Sequence, residues 1–310
     1  MVSTAILFPG QGAQFFGMGR KLIGLRRVVE TLEECADASS LPIMDYVLKT
    51  PDAVLRETNR AQPAIFALSV SLARILLDEG VKPDLYAGHS IGHFSALVIS
   101  GSLRLSDAAH LVAERGRLMA ASGKRRPGGM GVVHALDEQT VTEALEKSGL
   151  PLWSANFNLL DQIVVSGERG ALEKARALFT DLGGRWSSLN VSGAFHSPLL
   201  DVEAAEFAAT VETIEVGTPS VPVLRNCDGM ALTRAETVRK DLKRHMMAPV
   251  RWTAVMDAMR KAGITLGFEA GPSRVLTGLM MRHVPALSVM STGTPALLQR
   301  AVQAARMGKE

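Results

Sequence analysis

A short, mostly apolar run over residues 4–8 stops at Pro9 and Gly10, a pattern that predicts a buried strand entering a turn. Residues 59–78 carry apolar side chains at helical spacing, and Glu79 with Gly80 supplies a stop signal. Residues 84–87 read as a short strand before Gly88, and residues 92–99 and 105–121 read as helices. Strands alternating with helices predict the α/β class, with a mainly parallel sheet.

The pattern changes after Ser122. Residues 123–129 form a charged, Gly/Pro-rich joint. Beyond it, residues 130–135 are strand-like, 138–148 helical, 162–166 strand-like, 170–181 helical and 186–191 strand-like. This β-α-β-α-β order predicts a small α+β insert. Helical spacing resumes over 199–210, and strands over 222–224 and 266–269 return the chain to the α/β pattern. There is no internal repeat, and the tail from Met307 is expected to fray.

Bulk properties narrow the function classes. The 310 residues are 47% hydrophobic, enough for a full core without staples. The two cysteines, Cys35 and Cys227, make neither a disulfide framework nor a Cys-based zinc site, and a reducing cytoplasm is the expected location. No signal peptide or membrane span is expected. Two Tyr and three Trp give no stripe for stacking bases, so no nucleic acid is expected. A net charge of +3 is a weak lean toward an acidic or phosphate-bearing partner. A monomer is the default expectation.

The most informative residues are Gly88-His89-Ser90-Ile91-Gly92, a G-x-S-x-G set between a strand and a helix. A sharp strand-to-helix turn strains the serine backbone and projects its hydroxyl at a helix N-terminus, where free N–H groups favour developing negative charge. Ser90 is therefore the candidate nucleophile, and the N–H of Ile91 a candidate oxyanion donor. His89 and His93 form H-x-x-x-H, but the turn falls between them and no third ligand is apparent, so no metal is expected.

A serine nucleophile needs a base. Among seven histidines, His196 in Gly193-Ala194-Phe195-His196-Ser197 and the late His283 remain rivals on sequence alone. The loop holding Gln11 can supply a second oxyanion N–H. That stretch also mimics a dinucleotide fingerprint, Gly10-x-Gly12, but Phe15 stands where the third glycine belongs. Arg115 lies on the helix after the turn; facing inward it could clamp a substrate carboxylate, whereas Arg117 reads as solvated.

Together these residues resemble the malonyl-CoA:acyl carrier protein transacylase family, including the stand-alone acyltransferases that serve polyketide synthases. The resemblance also runs through Ala61-Gln62-Pro63-Ala64, Arg115-Gly116-Arg117-Leu118-Met119, Asn156-Phe157-Asn158, Pro249-Val250-Arg251-Trp252 and Glu269-Ala270-Gly271-Pro272. It implies an α/β-hydrolase-like large domain over residues 1–125 and 195–310 with an inserted ferredoxin-like subdomain over 126–194. It implies Ser90 as the acylated nucleophile and His196 as its base, oriented by a backbone carbonyl, with His245 at that position. Gln11 and Ile91 map onto the oxyanion hole and Arg115 onto the carboxylate clamp. His89, Phe195, Asn156 and Asn158 map onto the substrate pocket, with the two asparagines read as loop residues. Malonyl-CoA is the implied donor and an acyl carrier protein the implied partner, with no cofactor. Ala194-Phe195-His196-Ser197 is the family's malonyl form, whereas Tyr-Ala-Ser-His accompanies methylmalonyl.

The chain departs from that pattern twice. His93 replaces the usual Glu after G-H-S-x-G, and His245 replaces the usual Gln before Pro-Val-x-Trp. An acyl hydrolase on the same fold and a non-catalytic carrier-binding protein are the alternative readings. Arg115 argues against the first, and the pair Ser90 and His196 against the second.

Overall fold

Thr4–Phe8 is buried at all five positions because it forms the middle of a sheet covered on both faces. The protein is described by a computed structural model covering residues 3–191 and 193–307. The expected fraying of the tail concerns residues 308–310, outside the described residues. The first elements are β1 (Thr4–Phe8), α1 (Arg26–Ser39), α2 (Ile43–Leu48), α3 (Asp52–Leu55), α4 (Thr58–Asp78), β2 (Leu85–Gly88), α5 (Gly92–Ile99) and α6 (Leu105–Arg125). Next come β3 (Gly128–His134), α7 (Glu138–Ser148), β4 (Leu152–Leu159), β5 (Gln162–Glu168), α8 (Arg169–Asp181) and β6 (Arg185–Leu189). The remainder is α9 (Asp201–Glu212), β7 (Val223–Leu224), β8 (Ala231–Leu232), α10 (Ala235–Arg244), α11 (Trp252–Lys261), β9 (Leu266–Glu269), α12 (Val275–His283), β10 (Ser288–Ser291) and α13 (Pro295–Met307).

The large sheet runs β10-β9-β1-β2-β7-β8 and is parallel except for the β7–β8 pair at its edge. Side chains alternate across β1. Ile6 and Phe8 join a core with Phe66, Phe94, Phe207 and Phe268, while Ala5 and Leu7 join one with Trp252, Met256 and Met280. Helix α4 is long and apolar enough to cross a membrane, contrary to the sequence expectation, with a mean hydropathy of 1.3. Its most apolar window is 78% buried inside the fold, which marks it as a core helix.

The second sheet, ordered β4-β5-β3-β6, is antiparallel throughout and lies within residues 128–189. It differs from the sequence expectation by one strand. The missing strand is β4, whose Ser154-Ala155-Asn156-Phe157-Asn158 core has low strand propensity and whose pairing with β5 shifts register twice. The joint is also shorter than expected: α6 continues to Arg125 and β3 begins at Gly128. The two sheets touch where β4 meets the chain before α11, with Phe157 N donating to Val250 O and Val250 N donating to Ala155 O, each at 2.8 Å.

The turn between β2 and α5 depends on two glycines. A Cβ on Gly88 would fall on the backbone of Gly92, and one on Gly92 would fall on the carbonyls of Phe8 and Pro9. Gly→Ala in a helix ordinarily stabilises by about 0.5–1 kcal/mol, which is the expectation for Gly278→Ala in α12, where a Cβ meets open space. Gly92→Ala is expected instead to destabilise by about 1–3 kcal/mol or more through overpacking. Denaturant midpoints of the two variants check this; equal shifts would remove the close-approach argument.

Candidate active site

The site forms past the carboxyl ends of the parallel strands, where open α/β sheets gather their ligands. The turn after β2 presents Ser90, with the backbone held at φ 49°, a region that L-residues enter only under constraint. The constraints are visible. His89 N donates to Phe8 O at 2.9 Å, which ties the turn to β1. The Asn226 side chain, just past β7, accepts from Ser90 N at 2.8 Å and donates to Gly88 O at 2.7 Å.

The Ser90 hydroxyl lies 2.8 Å from His196 Nε2. His196 is itself at φ 55° and buried. Its Nδ1 lies 2.8 Å from the carbonyl of Ala248. An Nδ1–H donated to that carbonyl leaves the Nε2 lone pair facing the hydroxyl. The carbonyl hydrogen-bonded to the ring is Ala248's, three residues past the expected His245, whose backbone adds a smaller influence. His245 keeps helical dihedrals at the end of α10, with its N–H donated to Leu242 O, so its carbonyl follows the helix. Ala248 lies past that turn, where the chain has left the helix. The His245 carbonyl is only a lesser influence on the base. His283, the rival base, sits on α12 with Nε2 3.4 Å from Asp257 Oδ1 and does not line the cavity.

Ser90, His196 and Arg115 share one cavity of about 470 Å³. Arg115 on α6 is fully buried. One amino group donates to Gln62 Oε1 at 2.6 Å and the other lies 3.3 Å from Ser90 Oγ. Gln62 Nε2 reaches Met119 Sδ at 3.3 Å, which fixes the amide with its oxygen toward the guanidinium. Among the described residues no carboxylate pairs with Arg115, and its Nε has no partner. Arg117 faces out, where Glu114 and Glu206 hold it.

Gln11 and Ile91 face the same cavity. Among the described residues no hydrogen bond takes either backbone N–H. The Gln11 side chain is anchored by Thr58 Oγ1 at 3.0 Å, which steadies that loop. His89, Asn156, Asn158 and Phe195 also line the cavity. His89 Nε2 lies 2.9 Å from Asn158 Oδ1, and its ring stands edge-on to Trp252. Both asparagines lie on strand β4, not in a loop; Asn156 pairs with Val164 of β5, and Asn158 falls at the register shift between Phe157 and Leu159. His89 and His93 turn to different partners, since His93 Nε2 lies beside Asp241.

Sequence reasoning left two contributors unassigned. Gln62 stood in a quoted motif without a role, and Asn226 stood in none. The signal for Asn226 was its place directly after a strand of the parallel sheet.

Burial dominates the electrostatics. It pushes His196 down to about 3, with the Arg115 charge adding to the effect and the Ala248 carbonyl opposing it. His245 is driven well below its ordinary value by burial and then by Arg115, and His89 is lowered by burial. Arg115 itself is lowered to about 9 by burial. The base is thus proton-free near neutrality, and the guanidinium remains charged.

The profile of the acyl transferase domain matches residues 6–303. The malonyl CoA-acyl carrier protein transacylase of Haemophilus influenzae is 35% identical over 302 residues, 96% of this chain and 97% of that protein. The crystal structure of malonyl-CoA:acyl carrier protein transacylase from Xanthomonas oryzae pv. oryzae superposes with a TM-score of 0.94 at 33% identity, covering 98% of each chain. A malonyl-transacylase solved in complex with a type II PKS acyl-carrier protein gives a TM-score of 0.93 at 35% identity, covering 97% of this chain and 99% of that one.

Lowered histidines make stability depend on pH in a fixed direction. Below 6.5 the unfolded chain takes up protons that buried His196 and His245 refuse. Stability is expected to be complete above that value and to fall as pH drops toward 3, by up to about 1.4 kcal/mol per pH unit for each histidine. His196→Ala should flatten the slope by one such share, measured as denaturant midpoints between pH 7 and pH 5. An unchanged slope would show that His196 takes up its proton in the native state as readily as in the unfolded one.

Proposed function

The chain belongs to the acyl transferase domain family, and we propose that it moves a malonyl group from malonyl-CoA to the phosphopantetheine thiol of an acyl carrier protein through an acyl-serine. The single observation that carries this reading is the buried Arg115 guanidinium 3.3 Å from the Ser90 hydroxyl. A malonyl group has one methylene between its carboxylate and its thioester carbonyl. A cation this close to the nucleophile suits that short span. A buried charge without its partner is costly by several kcal/mol, so the clamp favours an acyl group that brings a carboxylate.

The reaction follows from the geometry. His196 Nε2 accepts the Ser90 proton as the oxygen attacks the thioester carbonyl. The N–H groups of Gln11 and Ile91 hold the tetrahedral oxyanion. The intermediate collapses, the C–S bond breaks, and the proton on His196 goes to the departing coenzyme A sulfur. In the second half the carrier's thiol gives its proton to His196 and attacks the acyl-serine. Ser90 leaves as the alcohol, taking that proton back. No step calls for a cofactor. Asn156, Asn158 and His89 line the same cavity as Arg115, and we assign Phe195, which also lines it, to the space beside the α-carbon.

The finer architecture has support of the same kind. The small sheet joins strands and helices in β-α-β-β-α-β order with β6-β3-β5-β4 across the sheet, which supports the ferredoxin-like description. A strand-turn-helix nucleophile on a mainly parallel sheet supports the hydrolase-like description of the rest. We take residues 126–194 as the inserted subdomain and 1–125 with 195–310 as the catalytic domain. The basic end of α6 and the joint after it could meet an acidic carrier; there Arg125 is engaged by Glu203, and Lys124 and Arg126 are the candidates.

Incubation with malonyl-CoA should give a malonyl-enzyme by intact mass that passes its acyl group to a carrier; rapid release of free malonate without a carrier would indicate a hydrolase. Arg115→Ala is expected to reduce malonyl loading by about two orders of magnitude or more, the cost of an unpaired buried carboxylate, and to raise relative acetyl loading. Equal losses for both acyl groups would remove Arg115 as the clamp. Phe195→Ala should relax discrimination against methylmalonyl-CoA by about 1–3 kcal/mol at most, the usual limit for one methyl, read as the ratio of kcat/KM values.

A further inference from the structure

The nucleophile turn rests on a buried polar network that the reaction above does not use. Asn226 is buried, and its amide is satisfied on both ends by the backbone on either side of His89: Ser90 N–H to Oδ1 at 2.8 Å, and Nδ2 to Gly88 O at 2.7 Å. Those two bonds fix which end of the amide is oxygen. The same Nδ2 lies 3.4 Å from His93 Nδ1. His93 is fully buried on α5. Its Nε2 lies 2.9 Å from Asp241 Oδ2, a close contact off the ring's N–H axis, and neither atom has another partner among the described residues. Asp241 is buried on α10. The His93 ring also stacks on His245, 5.2 Å away and tilted by 13°.

Chemistry gives this chain of contacts a direction. Asn226 Nδ2 only donates, so His93 Nδ1 must present a lone pair to it, which puts the ring proton on Nε2, toward Asp241. The family pattern places a glutamate where His93 stands. Here the carboxylate arrives from a different helix, and the histidine spans the gap between it and the amide. Removing Asp241 would take from the buried His93 ring the carboxylate that lies beside its Nε2. Removing Asn226 would leave Ser90 N–H and Gly88 C=O unpaired in a turn already held at φ 49°.

We propose that Asn226, braced by the His93–Asp241 pair, is the positioning residue that holds the nucleophile turn in its reactive conformation. It touches backbone, not the reacting atoms, so it acts through the placement of the Ser90 hydroxyl against His196. The proposal rests on Ser90 being the nucleophile, as the functional reading has it, but not on the identity of the acyl group.

The test uses the full-length protein and two readouts. One is the rate at which an alkyl fluorophosphonate, which loses fluoride to an activated serine, labels Ser90 by intact mass. The other is malonyl loading, resolved into kcat and KM. Asn226→Ala is expected to slow labelling about 10- to 100-fold, the penalty for a nucleophile misplaced by a fraction of an ångström to an ångström, and to lower kcat with little change in KM. Asn226→Asp keeps the acceptor for Ser90 N–H and should recover part of the rate. Asp241→Asn should slow labelling in the native His93 background, whereas His93→Glu should make that same substitution neutral or beneficial. Thermal melts check folding, and should Asn226→Ala not fold, the His93/Asp241 cycle carries the test. Wild-type labelling by Asn226→Ala, or an Asp241→Asn effect of equal size in both backgrounds, would overturn the proposal. A wild-type protein that is labelled by the fluorophosphonate yet takes no malonyl group would refute the malonyl reading alone.

Discussion

A single hydrogen bond, from the Ser90 hydroxyl to His196 Nε2, joins residues 106 positions apart, and most of the fold serves to keep that distance at 2.8 Å. Each end is held by separate means. The serine end is set by β1, β2 and Asn226, with two glycines allowing the backbones to pass. The imidazole end is set by the Ala248 carbonyl. Both residues sit at positive φ, so neither would hold its conformation in an isolated peptide. The surrounding contacts over-determine both, and the strain is kept where the chemistry occurs.

The same cavity couples recognition to reactivity. Arg115 depresses the basicity of His196, second only to burial. On the proposed reading, a carboxylate bound to the guanidinium would cancel much of that charge and raise the basicity of His196. An acyl group without a carboxylate leaves the guanidinium unpaired and the base weak.

Much of this was legible in the sequence, and the reasons differ by residue. Ser90 was legible because a local motif and a local change of period coincide at Gly88 and Gly92. Gln11 and Arg115 could be nominated because each lies one turn or one helix beyond a recognisable strand. The choice of His196 over His283 needed the family resemblance, because spacing along a chain does not report which loops meet in space. Strand β4 escaped because asparagines and serines mask its period, and its place depends on pairing with β5 and Val250. The expectation at His245 fell three residues from the nearer carbonyl, that of Ala248, because the order of residues along a helix end does not report which carbonyl meets the ring; the His245 backbone acts on the base as the smaller influence.

Four residues, Ala248 to Arg251, bring these strands of argument together. The carbonyl of Ala248 orients the base. Val250 pairs with β4, the strand that carries Asn156 and Asn158. Arg251 N donates at 2.7 Å to the carbonyl of Asn226, the residue whose side chain grips the nucleophile turn. Base, pocket wall and nucleophile are thus referenced to one short extended segment, and not only to each other. Val250, which pairs with the small sheet, and Ala248 are only two residues apart. The small sheet thus shares, through Val250, the segment that carries the Ala248 carbonyl.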